Sequence, residues 1–129
     1  ITNADLLKMV INSSLGNSIN KTPLKNYNLL NNDNWLSVQL FFAREGKIKC
    51  IRNVGMIKKI PEVIDIKVNY KKGDTIPVIN NATARAGYFI VKAKSRKELK
   101  SNIKQVYDKL QIIDNENENL ILRKAGEKL

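Results

Sequence analysis

Apolar positions along the chain alternate between helical spacing and strand spacing. Leu6, Leu7, Val10 and Ile11 fall on one helical face and predict an N-terminal helix. Thr2 or Asn3 is placed to cap it, Asp5 to occupy its electropositive first turn, and Leu15-Gly16 to stop it. Residues 17–34 are polar and rich in asparagine, with Pro23 among them. They also hold Ile19, Leu24, Leu29 and Leu30, so an ordered connection is expected rather than a free linker.

From Trp35 to Phe42 the period becomes two, with Leu36, Val38, Leu40 and Phe42 alternating against Ser37, Gln39 and Phe41. Ala43-Arg44-Glu45-Gly46 reads as a hairpin connection and Lys47–Ile51 as its return strand, with Ile48, Cys50 and Arg52 on one face. Val54, Ile57 and Ile60 predict a short helix ended by Pro61. Val63–Tyr70 alternates as a strand, Lys71–Asp74 is a turn, and Thr75–Ile79 is an extended piece that Pro77 confines to an edge.

Asn80–Ala84 is a loop leading into the strand Arg85–Lys94, whose Tyr88-Phe89-Ile90-Val91 centre is aromatic and β-branched. Ser95 and Glu98 form a capping box for a long helix carrying Leu99, Ile103, Val106, Tyr107 and Leu110 on one stripe. Asp114–Glu118 reads as an acidic loop, Leu120–Leu122 as a last strand, and Lys124–Leu129 as a fraying end. The order predicts an α+β fold: a mostly antiparallel sheet with one long helix packed on it, preceded by the N-terminal helix.

Composition narrows the chemistry. The 129 residues contain no histidine, which excludes a histidine general base, Ser–His or Cys–His nucleophiles and histidine metal ligands in this chain. A single cysteine, Cys50, forms no internal disulfide and reads as a small half-buried filler, consistent with a reducing compartment. The six glycines stand singly, with no phosphate-cradling motif.

Net charge is +11, from 18 Lys and 5 Arg against 12 acidic residues. The lysine excess accompanies high asparagine and isoleucine, the pattern AT-rich codon usage produces. Lys58-Lys59, Lys71-Lys72, Arg44 and Arg52, together with Lys97, Lys100, Lys104 and Lys109, read as solvated faces. Aromatic residues do not interleave with them as single-strand binding requires, and Trp35, Tyr88 and Phe89 read as core. Nucleic acid is therefore an unfavoured partner, and a small basic binding module for nucleic acid or another polyanion is the alternative function.

No apolar run approaches the ~20 residues of a membrane span, no signal peptide is visible, and a cytoplasmic location is expected. The chain opens at Ile1 rather than methionine, so an upstream segment is expected as well.

Candidate site residues are few. Glu45, Asp65, Asp74 and Glu98 read as structural. Asp114, Glu116 and Glu118 could touch a divalent ion, but a solvated loop is the preferred reading. Arg85 is the residue that invites a functional reading: it stands in Asn80–Gly87 at the entry to the central strand, where lining a cleft is easy. It serves either a structural ion pair or a ligand or interdomain contact, and Asn81 is its companion on the same loop.

Gly46-Lys47-Ile48, the element from Val54 to Val63, the run from Val68 to Pro77 and the run from Arg85 to Leu99 occur together in this order. In that order they resemble the C-terminal domain of ATP-grasp ligases. The resemblance is greatest to the L-amino-acid ligase and carbamoyl-phosphate-synthase-like branch and extends to the C-terminal domain of biotin carboxylase. Ser95-Arg96-Lys97-Glu98-Leu99 fits the family's helix start, with Leu99 in place of the usual alanine. Ala4 to Gly16 resembles the last helix of the ATP-grasp fold.

The resemblance implies that residues 1–34 are the terminal helix and connecting loop of the ATP-grasp core, and 35–129 the C-terminal α+β domain. It also implies a parent ligase using Mg-ATP, whose nucleotide lysines, glycine-rich flap and magnesium ligands lie upstream. This part would then be non-catalytic, without a cofactor or metal of its own. Its partner would be the upstream ATP-grasp domain of the same chain, with Arg85 and Asn81 facing the core or the substrate.

Overall fold

In a computed structural model, residues 4–25, 34–80 and 84–123 are described. The chain divides into two compact units, residues 1–34 and 35–129. Among the described residues no helix is long and apolar enough to cross a membrane.

In the first unit, α1 spans Leu6–Ser14 and α2 Thr22–Lys25. Asp5 is the cap of α1, its Oδ1 accepting the Lys8 N–H at 3.0 Å. This corrects the assignment of Asp5 to the first turn: its carboxylate reaches the third helical amide, the bond that defines an N-cap. Thr2 and Asn3 lie outside the described residues. The glycine stop is as expected: Gly16 takes φ +73°, its N–H donates to Ser13 and that of Asn17 to Asn12, closing the helix end. Leu6, Leu7, Val10 and Ile11 are all exposed. The short α2 was not anticipated in the connection.

The second unit contains β1 (Trp35–Ala43), β2 (Gly46–Arg52), α3 (Val54–Ile57), β3 (Val63–Val68), β4 (Thr75–Ile76), β5 (Gly87–Ala93), α4 (Arg96–Lys109), β6 (Gln111–Asp114) and β7 (Ile121–Leu122). It is α+β with antiparallel pairing, but in two sheets. One has the order β3-β5-β1-β7 and the other β4-β2-β6. The expected β1–β2 hairpin is therefore absent. Both edges of β1 are occupied by β5 and β7, and Arg44 N–H extends the β7 ladder by donating to Leu120 O at 2.8 Å. Arg44-Glu45 then carries the chain into the other sheet, where β2 pairs with β4 and with β6, a strand the sequence reading missed.

Helix α4 packs on β5 and β1. Ser95 Oγ accepts Glu98 N–H as expected, while the Glu98 carboxylate accepts the N–H of Lys94, one residue earlier than a standard box. At the far end of α4, Asn53 donates from Nδ2 to the Lys109 carbonyl and starts α3 in a left-handed conformation at φ +68°. The core between these layers is centred on Phe89, whose ring centroid is 6.3 Å from Phe41 and 5.2 Å from Tyr107, the latter edge-on. Ile48, Ile57, Ile66, Val106, Leu110 and Ile112 fill the space around it.

Strand β1 does not bury the face its apolar residues suggested. Phe41 and Ala43 point into the core, whereas Leu36, Val38 and Leu40 are 41%, 55% and 46% exposed. Trp35, expected in the core, is 43% exposed at the strand's start. On the inward side of the same half-strand, Gln39 Nε2 donates to Ser37 Oγ at 2.7 Å, so two polar residues satisfy each other there. In β3 a register shift between Val63 and Asp65 turns Ile64 outward, breaking the strict alternation read from sequence. Phe89 is buried as expected, and Tyr88 is partly covered.

Gly87 lies directly opposite Phe41. A Cβ there would stand 2.5 Å from the Phe41 ring and 2.2 Å from the Lys67 carbonyl oxygen, and that backbone cannot yield without breaking the β3·β5 ladder. Gly55, by contrast, has open space around it. Replacing Gly87 by Ala is expected to cost at least about 1–3 kcal/mol. Gly55→Ala should be near neutral, and thermal unfolding of the two variants checks the pair.

Candidate functional site

The turn that moves the chain between sheets also builds a cleft. The β1·β7 pairing brings Leu120 to Arg44, and Gly46 lets the chain pass within van der Waals distance of the Leu120 side chain. Val78 and Ile79, just after the edge strand β4, and the acidic loop after β6 supply the other walls. The cleft holds about 300 Å³ and is lined by Arg44, Glu45, Val78, Ile79, Asp114, Glu116, Glu118 and Leu120. Sequence reading placed these residues in a hairpin connection, an extended piece, an acidic loop and a last strand, and did not join them. Their separation along the chain left no local signal.

Its polar lining is one guanidinium against four carboxylates over an apolar base. Arg44 also reaches the Asn119 carbonyl from Nη2 at 3.4 Å. Asp114 is committed to the loop itself, its Oδ1 accepting the N–H of Glu116 at 2.9 Å and of Glu118 at 2.8 Å. Asn119 Oδ1 likewise accepts from Ile112 and Ile121, stitching the loop's exit to β6 and β7. The described residues contain no group of His, Cys, Asp and Glu arranged to hold a metal ion, so the divalent-ion reading of this loop gains no support. The lining includes no Ser, Thr, Cys or Lys. The arrangement presents a cation, four carboxylates and three apolar side chains to whatever enters it.

Arg85 stands two residues before β5, exposed. Its carbonyl accepts from Asn69 Nδ2 at 3.1 Å, which pins the strand entry to the end of β3. The ion pairs among the described residues are those of Asp108 with Lys104 and with Arg123, so Arg85 takes no part in one there. The guanidinium is therefore available to solvent or to another surface. Asn81 lies outside the described residues. Asp74 is structural as read, accepting the Lys71 N–H at 2.9 Å, and Cys50 is a free, half-buried thiol.

A sequence model of L-amino acid ligase C-terminal domain 2 matches residues 38–114, more than half of the chain. The chain belongs to this family. That bears out the ligase resemblance carried by the motifs between Gly46 and Leu110. Among solved structures, an L-amino acid ligase from Bacillus licheniformis superposes with a TM-score of 0.65 at 14% identity over 87% of this chain. A phosphoribosylglycinamide synthetase from Anaerococcus prevotii superposes with a TM-score of 0.63 at 16% identity over 84%. At these identities the likeness is one of fold. The chain spans 27% of the length of each of those two chains. No curated protein sequence matches it.

On the other side of the four-stranded sheet, the Tyr88 hydroxyl donates to Asp65 Oδ2 at 2.7 Å, while Asp65 Oδ1 accepts the Ile66 N–H. The bond to the carboxylate, followed by desolvation and the carboxylate's charge, raises the Tyr88 phenol above its ordinary 10.0. Burial alone raises Tyr107.

Two outcomes follow. Asp114→Ala strands two backbone amides and is expected to cost about 1–2 kcal/mol of stability, whereas Glu116→Ala should cost almost nothing, as denaturant titration would reveal. In an ultraviolet titration of tyrosinate, Asp65→Asn should lower the pKa of the transition that Tyr88→Phe deletes. Because the folded value lies above the unfolded one, the stability the bond gives is complete below pH 10.0 and disappears as pH rises through the folded value.

Proposed function

We propose that this chain is the C-terminal, non-catalytic part of an ATP-grasp ligase that joins a carboxylate to an amine. It packs against the ATP-binding core of the same polypeptide. The observation that carries the reading is the match to L-amino acid ligase C-terminal domain 2 across residues 38–114. The sequence is compatible with that reading: it has no histidine and no phosphate-binding glycine motif. Amide formation is preferred to carbamoyl phosphate formation because the matching family is named for amino acid ligation.

In such a ligase Mg-ATP, held by the upstream core, supplies activation of the carboxylate as an acyl phosphate. This chain contributes structure and, through Arg85, a cation that bears on the negatively charged end of the substrate or on the core itself. Asn81 accompanies it on the same loop. The free thiol of Cys50 fits the reducing cytoplasm in which ATP-dependent ligation takes place.

The full-length protein, supplied with Mg-ATP and panels of amino acids, should release phosphate and form amide products identifiable by mass spectrometry. The 129-residue chain alone should form none. Arg85→Ala in the full-length protein should reduce kcat/KM by roughly tenfold or more. Unchanged kinetics in that variant would withdraw the role of Arg85, and a full-length protein with no ATP-dependent product would withdraw the ligase reading.

A further inference from the structure

We propose that the outer face of the four-stranded sheet, centred on Val38 and Ile90, is the surface on which the remainder of a longer polypeptide seats this domain. The inference rests on the reading of the chain as one domain of a ligase and names the face that makes the joint.

The β1·β5 register sets Val38 opposite Ile90, Leu40 opposite Tyr88 and Leu36 opposite Lys92. Leu36, Val38 and Leu40 are each two-fifths exposed or more. Single exposed apolar residues are commonplace, but a contiguous cross-strand group of them marks an interaction surface. The inward positions of the same half-strand hold Ser37 and Gln39. The alternation of β1 is thus inverted relative to this domain's own core, as expected of a strand whose apolar side serves a second core.

Charge and connectivity select the occupant. Lys92 pairs across from Leu36 and Lys67 across from Tyr88, while Asp65, the carboxylate on this side, is engaged by the Tyr88 hydroxyl and by a backbone amide. The rim is therefore cationic, and its complement is an apolar surface edged with carboxylates. A second copy would bring the same lysine rim against its own. Solved chains of this fold extend well beyond the part matched here, which is 27% of each. Strand β1 begins at Trp35, so the chain enters this domain at the Leu36 end of the patch.

The test is thiol protection in the full-length protein. Val38→Cys and, as a solvent-exposed reference on α4, Lys100→Cys are each introduced, and maleimide labelling of each position is followed by peptide mass spectrometry. Residue 38 should label roughly tenfold more slowly than residue 100 in the full-length protein, at a rate independent of protein concentration. In the 129-residue chain the two should label at similar rates. Equal labelling in the full-length protein, while it still forms amide products with Mg-ATP, overturns this face and leaves the ligase reading intact. Protection that fades on dilution assigns the face to a second copy and also overturns the proposal. A full-length protein without ligase activity removes the occupant named here and overturns both.

Discussion

Phe41 reaches over the backbone at Gly87, so near that a Cβ there would lie 2.5 Å from its ring and 2.2 Å from the Lys67 carbonyl oxygen. Three strands meet at that point: β1 through Phe41, β5 through Gly87, and β3 through Lys67. The absence of a side chain lets them close up, and the closure fixes the register of both ladders. Slipping either by one residue would exchange the two faces of the sheet. The stack of Phe41 on Phe89, the edge contact of Phe89 with Tyr107 on α4 and the outward projection of Leu36, Val38 and Leu40 all follow from that register.

Features with short-range causes were legible in the sequence. The serine cap of α4, the glycine stop of α1, the edge position of β4 before Pro77 and the turn closed by Asp74 each depend on residues a few positions apart. The sheet layout was not legible. Ala43-Arg44-Glu45-Gly46 has the form of a hairpin, but whether two strands pair depends on what else competes for their edges. Here β5 and the two-residue β7 occupy β1. The competing partner of β2 is β6, four residues wedged between α4 and the acidic loop, too short to signal itself by period. Local pattern predicts strands; partner choice is a long-range matter that it does not encode.

The candidate site shows the same division. Arg85 could be singled out because it stands alone at a strand entry. The cleft could not, since it draws on the β1–β2 turn, the segment after β4, the acidic loop and Leu120. Its acidic residues, read mainly as a solvated loop, include Asp114, whose carboxylate holds that loop by accepting two amides.

The half of β1 from Trp35 to Leu40 carries the most consequential misreading, because there the apolar residues of the alternation face away from this domain's core. Each of Leu36, Val38 and Leu40 would gain on the order of 1 kcal/mol if its exposed part were covered. Among the described residues they stay exposed. The half-strand places Ser37 and Gln39 inward and Leu36, Val38 and Leu40 outward, the arrangement that the proposed seat on a longer polypeptide would use. The pattern was visible in the sequence all along. What the structure adds is its sense: in this domain's own packing the apolar side of the half-strand is the exposed one.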